Sequence, residues 1–154
     1  MSRSDCIIRQ ATRADLRHVV ALLADDALGR TREDGRWPLA QPYLDAFDAI
    51  EADPNQLLAA VESRGAIVGT LQLSFIPNIS RLGTWRCQIE GVRIAAQTRD
   101  SGLGRQMIEW AVAQARARGC GIVQLTCDAS RHDAQRFYRS LGFEGTHIGF
   151  KRAL

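Results

Sequence analysis

The segment from 88 to 104, QIEGVRIAAQTRDSGLG, holds the residues whose types and spacing best suit a chemical role. It reads as a strand, a tight turn and the start of a helix. Gly102 and Gly104 lie at that start, where backbone N–H groups and the helix dipole favour an anion. Arg99 and Arg105 add positive charge beside them. The pattern predicts a phosphate site, and a simple helix-entry turn is the alternative.

Two better-known phosphate motifs are excluded by the same residues. No G-x-x-x-x-G-K-[ST] occurs, so the segment is not a P-loop, and the third glycine of the dinucleotide fingerprint G-x-G-x-x-G is missing. A second motif follows about 30 residues later, at 133–143, and reads DAQRFYRSLGF. The strand EGVRI, then R-x-x-G-x-G, resembles motif A of the GNAT superfamily of acetyl-CoA-dependent N-acetyltransferases. The segment at 133–143 resembles its motif B, and the likeness covers nearly the entire chain.

The resemblance implies that acetyl-CoA is the cosubstrate and that no metal takes part. It implies that the backbone of Val92, Arg93 and Ile94 pairs with the pantetheine arm, and that an amide near Val92 stabilises the oxyanion. The backbone from Arg99 to Arg105 is implied to hold the pyrophosphate. The residues assigned to the coenzyme are Val92, Arg93, Ile94, Arg99, Asp100, Ser101, Gly102, Leu103, Gly104, Arg105, Asp133 and Arg136.

Two positions depart from the family pattern. Asp100 stands where an arginine or glycine is common, and a carboxylate beside a pyrophosphate is unfavourable unless it points to solvent or caps the helix. Arg131 stands where the family often has an asparagine three residues before the alanine of motif B. One pantetheine contact is therefore replaced, with Asp133 or Arg131 as the substitute.

Two proton transfers accompany acetylation of an amine, because the ammonium must lose a proton and the leaving thiolate gains one. The resemblance assigns Tyr138 as the acid, and a phenol with an ordinary pKa near 10 is protonated at neutral pH. A purely structural role in the core is its alternative. Glu90 is the candidate base, acting through a water, with an acceptor-binding role as its alternative. The other candidate bases are His132, His147 and Asp128.

The acceptor is implied to be a primary amine, attacking directly in a ternary complex. Its pocket is implied to lie between the segments 29–41 and 77–83. A small-molecule amine is the leading interpretation. A peptide or protein acceptor is the second, and a non-catalytic acetyl-CoA-binding sensor is the third.

The elements that must position these residues follow the order β-α-α-β-β-β-α-β-α-β. Period-2 and period-3.6 hydrophobic patterns, with their turn signals, set the boundaries. The predicted strands are 5–9, 57–62, 66–76, 85–94, 122–127 and 146–151, and the predicted helices are 16–29, 42–52, 103–118 and 133–141. We therefore predict an α/β (α+β) fold of the GNAT type: one domain over 1–154, with a mixed, mostly antiparallel sheet flanked by helices.

Composition agrees with this interpretation. The chain has 154 residues, 45% hydrophobic and 24% charged, and a net charge of +3. Nineteen arginines accompany a single lysine, Lys151. Acidic residues are interleaved with them, which argues against nucleic acid as a partner. We expect no membrane span, no disulfide or metal site from the four separate cysteines, and a cytoplasmic location. The sequence does not decide whether the protein forms a homodimer, as many members of the superfamily do.

Overall fold

A computed structural model describes residues 6–154 and confirms the predicted fold class. Five strands form one sheet in the order β1-β2-β3-β4-β5, antiparallel throughout except for the parallel pair of β4 and β5. The strands are β1 (Cys6–Gln10), β2 (Gln56–Ser63), β3 (Ala66–Ile76), β4 (Arg86–Ile94) and β5 (Ile122–Leu125). The helices are α1 (Leu16–Ala24), α2 (Gln41–Ala52), the short turn α3 (Ser80–Gly83), α4 (Leu103–Ala117) and α5 (His132–Ser140).

The predicted last strand over 146–151 is wrong. Those residues have no regular secondary structure, and Ile148 and Phe150 are largely exposed. Gly145 and Gly149 flank and interrupt the apolar alternation, and glycine weakens a strand because it supplies no side chain to pack. The first helix is also shorter than predicted. It ends at Ala24, and Gly29 instead begins a 3-10 turn (Gly29–Thr31).

The start of α1 is fixed by a local network at the end of β1. A capping box is present: the Asp15 carboxylate accepts a hydrogen bond from the backbone N–H of Thr12 at 2.7 Å. Arg9 donates two hydrogen bonds to the same carboxylate, at 2.7 and 3.0 Å, and also binds Glu62 on β2. These bonds lower the pKa of the buried Asp15 to about 2, against the opposing effect of burial. The network therefore ties β1, β2 and the first helix together.

The main core lies between the sheet and α4. Leu71 and Leu73 of β3, Ile89 of β4 and Met107 and Ile108 of α4 are almost completely buried in it. A smaller cluster on the opposite face of the sheet joins α1 and α2 through Leu16, Val20, Leu39 and Phe47. No helix within residues 6–154 is both long and apolar enough to cross a bilayer.

The pairing of the strand β4 with its neighbours changes halfway along its length. Up to Ile89 it pairs with β3 on one side and with β5 on the other, and the pairing with β5 ends at Ile89 opposite Leu125. Beyond that point β3 pairs Gln72 with Glu90 and Thr70 with Arg93, so two residues of β4, Gly91 and Val92, oppose one of β3. This is a β-bulge, and Gly91 has the positive φ (+61°) that favours glycine.

Candidate active site

A cleft opens where β4 and β5 part. Pairing of the two strands stops at Ile89 and Leu125, and the helix α5 closes one side. The cavity has a volume of about 100 Å³. Its lining is formed by Ile89, Glu90, Gly91, Val92, Arg93, Leu125, Thr126, Cys127, Asp128, Arg131, Ala134 and Tyr138. The structure thus brings together both predicted catalytic residues, Glu90 and Tyr138, and two of the residues predicted for the pantetheine arm, Val92 and Arg93.

The β-bulge places Glu90 and Arg93 on the same face of the sheet. Their partners on β3, Gln72 and Thr70, are two residues apart and therefore share a face. Directly paired residues of an antiparallel ladder also share a face. On a regular strand, two residues three positions apart, as Glu90 and Arg93 are, would point to opposite faces. The extra residue of the bulge brings them to one side, about 7 Å apart along the strand.

Tyr138 lies on the face of α5 that lines the cleft. Its ring packs against Phe137, with ring centroids 5.2 Å apart, and against Phe143 in an edge-on contact at 6.0 Å. Burial, together with the nearby Cys127, raises the pKa of Tyr138, and Arg131 and Arg93 partly oppose that rise. The phenol therefore keeps its proton at neutral pH and is able to donate it.

An arginine pair shares one carboxylate at the edge of the cleft. Asp26 follows α1, and its Oδ2 lies 3.3 Å from Nε of Arg93 and 3.8 Å from Nη1 of Arg131. Burial opposes ionisation of Asp26. The N–H of Gly29, at 2.5 Å from Oδ1, and the two arginines outweigh burial and hold its pKa below the ordinary value. The segment after α1 is thereby anchored to the cleft.

The predicted pyrophosphate turn lies at the amino-terminal end of α4. Gly102 precedes the helix with φ of +84°, and Asp100 is also left-handed with φ of +60°. Both are exposed, and a Cβ on Gly102 would meet no atom within 4 Å. The N–H groups of the first turn have no partner within the helix. These open donors fit an anion, and the exposed side chain of Asp100 does not crowd them.

Three of the charged residues predicted to bind the coenzyme take part in ion pairs within the protein. Arg105 lies 3.8 Å from Glu109 on the next turn of α4. Arg136 pairs with Asp133 on α5. Arg99, Arg105, Asp133 and Arg136 do not line the cleft between β4 and β5. The structure therefore has two neighbouring regions, an anion-binding turn and a cleft with acid–base residues.

The other candidate bases and the two segments predicted to border the acceptor pocket lie at different places relative to the cleft. Asp128 lines the cleft, but its carboxylate is held by Ser130, whose Oγ donates at 2.6 Å, which lowers its pKa. His132 and His147 do not line it, and Nδ1 of His147 lies 2.7 Å from Oγ1 of Thr146. The segments 29–41 and 77–83 contribute no residue to the lining.

Sequence reasoning missed Asp26, which no motif marks. It could have found Cys127, which directly follows the predicted strand end. Within residues 6–154 no group of three or more His, Cys, Asp or Glu side chains is arranged to hold a metal ion.

This chain is similar over most of its length to known acetyltransferases. Residues 19–143 match the acetyltransferase (GNAT) family. An aminoalkylphosphonate N-acetyltransferase of Salmonella typhimurium (strain LT2) is 29% identical over 149 residues, 97% of this chain and 92% of that protein.

Two solved structures have the same fold. A protein of Bacillus halodurans C-125 described as a transcriptional regulator superposes with a TM-score of 0.94 and 44% identity, covering 97% of this chain and 99% of that one. The protein AAC(6')-Iy, in complex with a CoA-based bisubstrate analogue, superposes with a TM-score of 0.78 at 19% identity, covering 98% and 99%. The chain described here belongs to the GNAT family and is an acetyl-transferring enzyme.

Proposed function

We propose that this enzyme transfers the acetyl group of acetyl-CoA to the primary amine of a small molecule, in a ternary complex and without a covalent enzyme intermediate. One observation carries the proposal. The half of β4 that has lost its β5 neighbour lies in the same cleft as Glu90 and the protonated Tyr138. That half strand offers backbone groups to an extended arm, and the two side chains offer a base and an acid.

Each step of the acetyl transfer is assigned to a residue or backbone group of this chain. Glu90 accepts, through a water, the proton that the ammonium must lose before nitrogen can attack. The new N–C bond forms at the acetyl carbonyl, and a backbone N–H near the bulge at Val92 stabilises the oxyanion. The C–S bond then breaks, and Tyr138 gives its proton to the departing sulfur. The second proton that nitrogen loses as the amide forms passes through water to the Tyr138 phenolate and restores the phenol. The turn from Arg99 to Arg105 holds the pyrophosphate through its open N–H groups.

The small-molecule acceptor is supported by a relative. The Salmonella relative is named for a small amine substrate, an aminoalkylphosphonate. A peptide acceptor would need a longer groove leading into the cleft.

The test is release of free thiol from acetyl-CoA with a panel of small amines and of short peptides. Rapid release with small amines, and none above hydrolysis with peptides, is the expected result. Preferential release with peptides would contradict the proposed acceptor.

A second function has one specific observation in its favour. The structure that superposes with 44% identity is described as that of a transcriptional regulator. A coenzyme-binding sensor would bind acetyl-CoA tightly and acetylate no amine. Calorimetric binding of acetyl-CoA without turnover on any amine would favour that role over catalysis.

A further inference from the structure

We infer that the acceptor carries an anionic group as well as its amine, and that Arg131 and Arg93 bind this group. The inference rests on the proposed function, since it specifies the substrate class of the same cleft. Phosphonate and carboxylate share the required chemistry, because each accepts the paired N–H donors of a guanidinium.

The first reason is that two guanidinium groups share one carboxylate. Both Arg93 Nε and Arg131 Nη1 approach the same oxygen of Asp26. Arg93 Nε is buried and makes no hydrogen bond within residues 6–154, although Asp26 lies 3.3 Å away. A single carboxylate does not occupy all the N–H donors of two guanidinium groups. Arg131, whose side chain is 43% exposed and lies 3.8 Å from Asp26, keeps donors available to a ligand oxygen in the cleft.

The second reason is the local charge. Besides the arginine pair and Asp26, the charged groups on this side are Glu90 and Asp128, which line the cleft, and Arg32, which acts on Asp128 through space. Three arginines therefore accompany three carboxylates. An acceptor whose ammonium and anionic groups cancel leaves this balance unchanged, whereas an acceptor with a lone ammonium adds a positive charge.

The third reason is the placement of Glu90. It shares a face of β4 with Arg93, about 7 Å along the strand, because of the bulge. An ammonium group at the carboxylate and an anion at the arginines fit a short zwitterion lying along this face of β4.

The coenzyme's own phosphates are a poor explanation for the arginine pair. The open N–H groups at the start of α4 suit the pyrophosphate, and no residue from Arg99 to Arg105 lines the cleft that holds Arg93 and Arg131. Arg93 is also oriented locally, since its Nη1 donates to the carbonyl of Val92 at 2.9 Å. Both arginines line the cleft in which the acceptor is proposed to bind.

The experiment compares acceptors of nearly equal length in the thiol-release assay: 2-aminoethylphosphonate, β-alanine, 3-aminopropanol and 1,3-diaminopropane. We expect kcat/KM at least 10-fold higher for one of the two anionic amines than for 3-aminopropanol. The better of the two identifies the anion as phosphonate or carboxylate. Equal or higher kcat/KM for the neutral or dicationic amine would overturn the inference while leaving the proposed function intact.

The variant Arg131→Gln tests the residue. It should lower kcat/KM for the preferred anionic amine by about 10-fold or more relative to that for 3-aminopropanol. Arg131→Lys, which keeps the charge without the fork of donors, should recover part of the loss. Arg116→Gln removes an exposed arginine from α4, far from the cleft lining, and serves as the matched control. Equal losses for both amines, or a change only in the KM of acetyl-CoA, would assign Arg131 to another role.

A binding measurement keeps the two proposals separable. Ethylphosphonate and propionate lack the amine, so titration calorimetry with the CoA-bound protein reports the anion site without turnover. Binding of either anion that Arg131→Gln weakens about 10-fold supports the inference even if no amine is acetylated, and that lack of turnover would count against the proposed function. Absence of binding by both anions would overturn the inference.

Discussion

Gly104 in the first turn of α4 packs directly against the ring of Phe137 on α5. A Cβ on Gly104 would lie 3.1 Å from Cζ of Phe137 and 3.1 Å from Cδ1 of Ile94 on β4. The glycine therefore lets three elements meet, namely the turn proposed for the pyrophosphate, the open half of β4 and the helix that carries Tyr138. Its small size sets the distance between the coenzyme turn and the acid.

Enlarging Gly104 should disturb that junction. We expect Gly104→Val to lower the free energy of unfolding by about 1–3 kcal/mol, because an overpacked contact forces its neighbours to shift. The KM for acetyl-CoA should rise as well. Chemical denaturation and steady-state kinetics measure both.

A second substitution provides the control. Phe137→Leu opens space beside residue 104, so the pair Gly104→Val with Phe137→Leu should lose less stability than the sum of the two single changes. Strictly additive losses would show that the contact between these residues is not what limits the site.

Removal of the Tyr138 hydroxyl should slow the chemistry and spare binding. We expect Tyr138→Phe to lower kcat about 100-fold, the order for a general acid, with nearly unchanged affinity for acetyl-CoA by calorimetry. Because burial raises the pKa of Tyr138, loss of this proton should not lower the wild-type rate until the pH lies above the range in which an ordinary tyrosine titrates. Unchanged kcat in the variant would leave Tyr138 as a core aromatic.

Replacement of Glu90 should change the pH dependence as well as the rate. Glu90→Gln keeps the size of the side chain but cannot accept a proton, so we expect kcat to fall about 100-fold. The rise of kcat with pH that a base produces should disappear. Glu51→Gln, on the exposed side of α2, is the matched control. A preserved profile in Glu90→Gln would direct attention to Asp128.

The ion pair at the start of α1 should control stability in acid. The pKa of Asp15 is lowered to about 2, mainly by hydrogen bonds from Arg9, so its contribution is complete above about pH 4 and is lost as the pH falls towards 2. We expect Asp15→Asn to cost about 2 kcal/mol at pH 7 and the difference from wild type to vanish near pH 2.

Denaturation at several pH values measures this dependence. The control is Asp48→Asn, since Asp48 forms an exposed pair with Arg13 and such pairs contribute little. A loss in Asp15→Asn that stays constant down to pH 2 would contradict the assigned cause.

Local patterns predicted much of this fold, because they recur within a few residues. The alternation of Leu71, Leu73 and Phe75 gave β3, and the stripe on α4 gave the face that packs on the sheet. The pattern at 146–151 misled because apolar alternation predicts a strand only where a neighbour is available to pair with it. Nothing local in the sequence reports on that neighbour.

The site could be predicted only where one segment carries the signal. Glu90, Tyr138 and the glycines of the turn lie in two short motifs. The contact of Asp26 with Arg93 joins residues 67 positions apart, and neither side chain marks the other in the sequence. The bulge at Gly91 and Val92 could likewise not be predicted from the sequence, since it depends on the register of β4 against β3.

The bulge has a consequence for how such a site can change. Loss of a single codon, that of Gly91, would restore a regular ladder in which Glu90 and Arg93, then two positions apart, still share a face of the sheet. The charges of the cleft would survive, whereas the backbone groups that the bulge leaves out of the ladder with β3 would be paired again. Variation in chain length at this position therefore separates the backbone contribution proposed near Val92 from the contribution of the side chains in the cleft.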